Sequence, residues 1–310
     1  MAINMKGKNL ISIADLSIEE IYQIFDVSKS LKEKLYTGEP HKYLEGKTLG
    51  MIFTKRSTRT RVSFETGIYQ LGGIGMYFGP NDLQLGTSES ISDTAKVLGR
   101  YLDGIMIRTF DHQDVVDLGK YAGIPVINGL TDLLHPCQVL TDLFTVLEKK
   151  RVLKGLKLAY IGDGNNMAHS LLNGCSKVGM NIAIASPSGY KPIKDIVENA
   201  KKFAKYMGSK IEITDDPVAA VKNADIVYTD VWASMGQEQE AQERKKKFAR
   251  YQVNPKLVKN AKSDYLFMHC LPAHRGEEVV NEVADSPNSV IFDEAENRLH
   301  VQKAIMALVM

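Results

Sequence analysis

The apolar positions of this chain follow two rhythms, one helical and one extended, and the two alternate. Ile18, Ile21, Ile24, Phe25, Leu31 and Leu35 recur at helical spacing, which predicts a helix with one buried stripe. Ser17 followed by Glu20 is a capping-box pattern at its start, and Gly38 and Pro40 stop it. A short apolar run at 48–53 reads as a strand. After a polar turn, a helix is predicted from about 57 to 71, closed by Gly72-Gly73. Strand-like runs return at 74–78, 104–107 and 125–128. Pro136 opens a helix running to about 149, in the turn where its missing N–H costs least.

Lys149-Lys150-Arg151 and then Lys154-Gly155 read as a domain junction. Beyond them the alternation starts again. Strands are expected at 157–161, 181–185, 210–214, 225–229 and 265–269, and a helical run at 294–309 would pack back on the first half. Strands alternating with helices mean βαβ units and mostly parallel sheets. The expected fold is therefore α/β, with two doubly wound domains, each a mostly parallel sheet flanked by helices. Their boundaries read as 1–148, joined by a C-terminal helix at 293–310, and 149–292. A length of 310 residues suits two domains of about 100–200 residues.

Doubly wound sheets take ligands beyond the carboxyl ends of their strands. Polar residues at those ends are the candidate site, and Ser57 to Arg61, Arg108, Asn165-Asn166, Asp230 and Cys270 stand there. Ser57-Thr58-Arg59-Thr60-Arg61 opens a helix directly after a strand. A helix N-terminus offers unpaired N–H groups and partial positive charge, hydroxyls add donors, and guanidinium forks match phosphate oxygens. The bland reading is an N-cap with solvated arginines; two arginines interleaved with hydroxyls in one turn favour phosphate. Arg108 ends the apolar run Ile105-Met106-Ile107, and by itself reads more simply as half of a structural salt bridge. His135-Pro136-Cys137-Gln138 puts an imidazole ahead of a helix start. A neutral imidazole there can polarise a carbonyl; a capping His beside a buried Cys fits equally well.

Gly162-Asp163-Gly164-Asn165-Asn166 invites a dinucleotide reading, but Met167 holds the third glycine position and no acid stands about 20 residues on. What remains is a glycine turn presenting Asn side chains to a polar ligand. Asp230, four residues before Ser234-Met235-Gly236, suits either an ammonium group or a helix cap. The nearby basic run from Arg244 to Lys247 reads as a solvated helix face. His269-Cys270-Leu271-Pro272, with His274 close by, lacks the second cluster that a zinc site wants. A nucleophilic Cys270 is not established by spacing, and a soft metal on it would be opportunistic rather than a cofactor.

Composition narrows the field further. Lys+Arg 39 against Asp+Glu 37 gives a formal charge of +2, no reason to expect a nucleic-acid or membrane partner. Three cysteines are a sparse, odd set that fits a reducing compartment. The first residues lack an apolar signal segment, and no apolar run approaches the ~18–20 residues of a membrane span. The expected location is the cytoplasm.

Together these strings resemble the aspartate/ornithine carbamoyltransferase family, over essentially the whole chain and in the same order. Ser57 to Arg61 resembles its S-T-R-T-R phosphate motif, and His135 to Gln138 its H-P-C-Q motif. Asp230 with Ser234-Met235-Gly236 resembles the D-x-x-x-S-M-G loop of the ornithine-using branch, and His269 to Pro272 the H-C-L-P motif. One such string is weak evidence; four in order are specific. The resemblance implies transfer of a carbamoyl group from carbamoyl phosphate to the side-chain amine of ornithine, giving citrulline and phosphate, with arginine biosynthesis the expected setting.

The resemblance also implies roles. Ser57, Thr58, Arg59, Thr60 and Arg108 would hold the phosphate; His135, Thr60 and Arg108 would face the carbamoyl oxygen. Gln138, Arg298 and the Cys270-Leu271 backbone would hold the carbamoyl end, and Gln84 would reach into a neighbouring subunit's site. Asn166, Ser234 and Met235 would take ornithine's α-amino and α-carboxylate groups, with Asp230 and Cys270 flanking the reacting amine. Arg108, His135, Asp230 and Cys270 are thus the expected catalytic set. No metal or organic cofactor is implied; a homotrimer or assembly of trimers, with sites at subunit interfaces, is. The H-C-L-P and S-M-G strings argue against an aspartate-using relative. A putrescine-using one would have less need of Asn166 and Ser234, and Met167 argues against a nicotinamide-dependent dehydrogenase.

Overall fold

The structure, a computed structural model, describes residues 2–83, 89–233 and 238–310. The chain divides into two compact units, Met1–Thr141 with Glu296–Met310, and Asp142–Ala295. Each is a parallel sheet flanked by helices, as the alternating pattern predicts.

The first unit runs α1 (Ile18–Thr37), β1 (Thr48–Phe53), α2 (Thr58–Gln70), β2 (Ile74–Phe78), α3 (Ile91–Leu98), β3 (Gly104–Arg108), α4 (His112–Tyr121), β4 (Val126–Leu130) and the start of α5 (Pro136–Lys150). The capping box of α1 is formed: Ser17 Oγ accepts from the Glu20 N–H at 3.1 Å, and Glu20 accepts from the Ser17 N–H at 2.7 Å. Gly38 ends the helix at φ 72°, a left-handed conformation that glycine adopts without a Cβ penalty. The strands lie parallel in the order β2-β1-β3-β4. Ile52, Ile105, Ile107, Val115, Leu118 and Val126 share one core, each fully buried side chain contributing about 1.5–3 kcal/mol. β2 is an edge strand and exposes Ile74 and Met76.

The second unit takes the end of α5, then β5 (Lys157–Ile161), α6 (Asn166–Lys177), β6 (Asn181–Ala185), α7 (Lys194–Met207), β7 (Ile211–Thr214), α8 (Pro217–Val221), β8 (Ile226–Thr229), α9 (Ala241–Phe248), α10 (Pro255–Val258), β9 (Leu266–Met268), α11 (Asn281–Ala284) and the first turn of α12 (Ile291–Val309). Its parallel strands follow the order β7-β6-β5-β8-β9. Helix α6 is buried at every residue from Met167 to Lys177. α12 begins before the expected position 294, which places Asp293 and Glu294 in the first turn, where acids complement the helix dipole. The rest of α12 belongs to the first unit, where Met306 and Lys303 pack on Gly67 of α2 and Lys32 of α1 donates to Asn297 at 2.7 Å. Among the described residues no helix is long and apolar enough to cross a membrane.

Each strand order reverses once. After β2 the chain returns across β1 to lay β3 on its far side, and after β7 it returns across β5 to lay β8. The loops leaving β1 and β3, and those leaving β5 and β8, therefore part company, opening a crevice at the carboxyl ends. The candidate residues of each unit gather at these two places.

Candidate functional site

In the first unit the site begins with Ser57, the N-cap of α2, whose hydroxyl accepts from the Thr60 N–H at 3.1 Å. Its extended backbone turns the chain from β1 into the helix, leaving the first-turn amides and the helix dipole at the strand end. Thr60 is fully buried, and its hydroxyl accepts from Arg298 Nη2 at 2.8 Å and Arg108 Nη1 at 3.4 Å. Two buried guanidiniums, one from β3 and one from α12, thus converge on a single hydroxyl. Like charges so placed repel, and an anion at this helix end would relieve them. His135 is buried directly before α5, and Gln138 is buried one turn in. Burial, then Arg298, Arg108 and Arg59, push His135 well below the usual imidazole range, so its ring is neutral at neutral pH.

Other residues of these motifs take supporting places. Arg59 is half-buried and Thr58 exposed. Arg61 turns away: it pairs with Glu65 at 3.2 Å and lies 3.9 Å over the Tyr77 ring. Cys137, its thiol pushed up to about 12 by burial, donates to the Asn128 carbonyl at 3.4 Å and serves packing. Gln84 lies outside the described residues.

In the second unit Asp230 follows β8 and is nearly buried. Its Oδ2 accepts from Asn165 Nδ2 at 3.0 Å, and its Oδ1 from the Cys270 thiol at 3.1 Å and the Val231 N–H at 2.8 Å. Asn165 caps α6, its Oδ1 accepting from the Met167 and Ala168 amides and from the Tyr160 hydroxyl at 3.2 Å. Asn166 occupies the first position of α6. Burial, Asp230 and Glu294 push the Cys270 thiol well above its ordinary range, so it remains a protonated donor at neutral pH. Glu294 accepts from the Tyr228 hydroxyl at 3.2 Å and the His269 N–H at 3.0 Å. Burial and Asp142 push its carboxyl well up. Leu271 has φ 57° and donates its N–H to His269 Nδ1 at 2.9 Å. Ser234 and Met235 lie outside the described residues.

The glycine turn is explained by packing. A Cβ on Gly164 would stand 2.2 Å from the Pro192 nitrogen, and Met167 fills the core where a dinucleotide fingerprint has its third glycine. Asp230, His269 and Cys270 bring ligand-type atoms within 4.8 Å of one another. The hydrogen bonds of Cys270 to Asp230, and of His269 to Leu271 and Glu278, account for that closeness.

The expectation for Arg244 needs correction. The sequence places it on a solvated face with Lys245, Lys246 and Lys247; the structure buries it. Its Nη1 donates to Asp163 at 2.7 Å and to the Trp232 carbonyl at 2.9 Å, and Nε donates to Glu240 at 3.0 Å. Burial pushes the Asp163 carboxyl up against the pull of Arg244. Arg244 thereby ties the turn after β5 to the segment after β8. Its only signal in the sequence is the Glu240–Arg244 spacing; Asp163 is 81 residues away. Asn165, not Asn166, is the residue on Asp230, a choice that spacing alone did not make.

Fold and geometry define a class: a two-unit, doubly wound α/β protein with a cationic helix end in one unit and a carboxyl–thiol end in the other. Comparison with known proteins narrows it. The family profile "Aspartate/ornithine carbamoyltransferase, carbamoyl-P binding domain" matches residues 8–148, and "Aspartate/ornithine carbamoyltransferase, Asp/Orn binding domain" matches 154–309. The ornithine carbamoyltransferase of Thermococcus kodakarensis is 58% identical, covering 100% of this chain and 98% of its own. The anabolic ornithine carbamoyltransferase of Pyrococcus furiosus is 56% identical at the same coverage. A solved ornithine carbamoyltransferase structure from Pyrococcus furiosus matches with TM-score 0.97 and 55% identity, covering 100% of this chain and 99% of that one. The chain belongs to the aspartate/ornithine carbamoyltransferase family.

Proposed function

We propose that the chain transfers the carbamoyl group of carbamoyl phosphate to the side-chain amine of ornithine, releasing citrulline and phosphate. The observation that carries this reading is the convergence of Arg108 and Arg298 on Thr60 at the start of α2, beside a neutral His135. Residues 1–148 with 293–310 bind carbamoyl phosphate in this reading, and 149–292 bind ornithine. Ser57, Thr58, Arg59, Thr60 and Arg108 hold the phosphate. His135, Thr60 and Arg108 stabilise the oxyanion that forms when the amine attacks the carbamoyl carbon. Gln138, Arg298 and the Cys270-Leu271 backbone hold the carbamoyl end. Asn166, Ser234 and Met235 take the amino-acid end of ornithine, and Gln84 comes from a neighbouring subunit.

The attacking amine must be neutral, yet a lysine-like amine has a pKa of about 10.4. A Cys270 thiol that already holds its proton cannot accept another. It is a donor that fixes Asp230, while Asp230 orients the amine. The amine's proton leaves with the phosphate, whose oxygens act as its acceptor in this reading. Both substrates carry the reacting atoms, so the step needs no cofactor; alignment of the two supplies much of the rate.

A homotrimer or assembly of trimers accompanies this reading. Edge strand β2 exposes Ile74 and Met76, and α2 exposes Val62 and Tyr69, apolar surface of the kind that a second copy covers. The balanced charge and the biosynthetic relative suit a cytoplasmic enzyme of arginine synthesis.

The test is product formation from carbamoyl phosphate with ornithine, putrescine and aspartate offered separately. Citrulline from ornithine alone is the expected result. Turnover with putrescine or aspartate instead would keep the phosphate half and overturn the second half.

A further inference from the structure

The H-C-L-P segment places His269 between three partners, and none of them is a substrate. His269 is fully buried. Its N–H donates to Glu294 at 3.0 Å, its Nδ1 faces the Leu271 N–H at 2.9 Å, and its Nε2 faces Glu278 Oε1 at 3.2 Å. A backbone amide can only donate, so Nδ1 must be the unprotonated acceptor. The ring proton then belongs on Nε2, where Glu278 Oε1 accepts it. Glu278 is also fully buried, and the same Oε1 accepts from the His274 N–H. A carboxyl oxygen buried in this position selects the Nε2–H tautomer of His269, much as an outer carboxylate orients a ligating or catalytic imidazole.

The tautomer matters because of what Nδ1 holds. Leu271 adopts φ 57°, a region that a branched side chain enters only when its surroundings impose it. The 2.9 Å bond from the Leu271 N–H to Nδ1 spans this turn, and Cys270 lies inside it, with its thiol 3.1 Å from Asp230. With the proton on Nδ1 instead, two donors would face each other and the turn would open.

We propose that Glu278 is a positioning residue for the amine-binding half: by fixing the His269 tautomer it holds the Cys270-Leu271 turn and so aims the Cys270 thiol at Asp230. This rests on the carbamoyl-transfer reading for its kinetic consequence, but not for its structural one. The bland alternative is a buried His–Glu pair that stabilises the fold and nothing more.

Two variants of the full chain separate these. Glu278→Gln retains an acceptor oxygen, and Glu278→Leu removes it. The first readout needs no turnover: the rate of Cys270 alkylation by iodoacetamide against pH, followed by peptide mass. Burial beside Asp230 keeps this thiol protonated in the native protein. Glu278→Leu is expected to move the alkylation midpoint down towards an ordinary thiol, and Glu278→Gln to stay near wild type. The second readout is kinetic. Glu278→Leu is expected to lower kcat/KM for ornithine at least 30-fold while the dissociation constant for carbamoyl phosphate changes less than twofold; Glu278→Gln is expected to lose less than fivefold. If Glu278→Leu fails to fold, selectively 15N-labelled histidine in the wild type and Glu278→Gln still decides the matter: His269 must show a pyridine-like Nδ1 and a pyrrole-like Nε2. The opposite tautomer, or an unchanged alkylation midpoint in a folded Glu278→Leu, overturns the proposal. A shifted midpoint in a chain that does not use ornithine would keep the positioning role and reject the substrate reading.

Discussion

The two strand-end clusters, one in each unit, occupy corresponding places on their own sheets and have opposite electrostatic character. At the reversal between β1 and β3, burial and a gathering of arginines depress an imidazole; at the reversal between β5 and β8, burial and a gathering of acids raise a thiol. A dianionic phosphate would compensate the first set, and an ammonium group the second. In the proposed reading the doubly wound sheet sets where ligands bind, while the charges at the strand ends set which ligand each unit takes.

The sharpest way to break this contrast is to remove a cation from the first half. Arg108→Ala is expected to lower kcat/KM for carbamoyl phosphate about 10³-fold, and Arg108→Lys to recover little, since a point charge cannot replace the fork. Steady-state kinetics with each substrate varied will check both, and an ornithine-specific defect would contradict the division of labour. Next in size, Asp230→Asn is expected to lower kcat/KM for ornithine about 10²-fold. Binding of carbamoyl phosphate, measured by calorimetry, should be unaltered; a matching loss of phosphate affinity would erase the contrast.

Smaller still is Arg244→Met, which unties the turn at Asp163 from the Trp232 carbonyl. An increase of about tenfold in KM for ornithine is expected from misplacement alone, and a change in kcat only would point elsewhere. The smallest effect is on pH dependence of stability. His135 and His300 are both depressed in the folded state, His300 to about 4 by burial and by Lys303. At these two sites the unfolded chain therefore binds more protons below about pH 6.5, so their contribution to stability is complete above that pH and falls on acidification towards pH 4. Urea midpoints at pH 7, 6 and 5 should decline in that order, and His300→Gln should flatten the decline.

Much of this was legible in the sequence wherever a signal is local. Ser57 marks the start of α2, Pro136 the start of α5, and Ser17 with Glu20 a capping box, because caps depend on residues three positions apart. The strand ends follow from short apolar runs, and they place Arg108, Asp230 and Cys270 without a structure. What escaped depends on distant partners. Arg244 reads as solvated because its neighbours are lysines; only the fold brings Asp163 to it from 81 residues away. Glu278 is one of two adjacent acids, Glu277 and Glu278, and nothing in the string shows which is buried. Asn165 and Asn166 are likewise adjacent, and only the cap geometry decides which faces Asp230.

Helix α6 carries a consequence in time rather than in charge. With every residue from Met167 to Lys177 buried, its amides can meet solvent deuterium only when the whole unit opens. Asn165, which caps this helix and holds Asp230, is thus bolted to what should be the slowest-exchanging segment of the second unit. A ligand arriving at Asp230 meets an anchor already set, and the entropy of ordering it was spent when the chain folded.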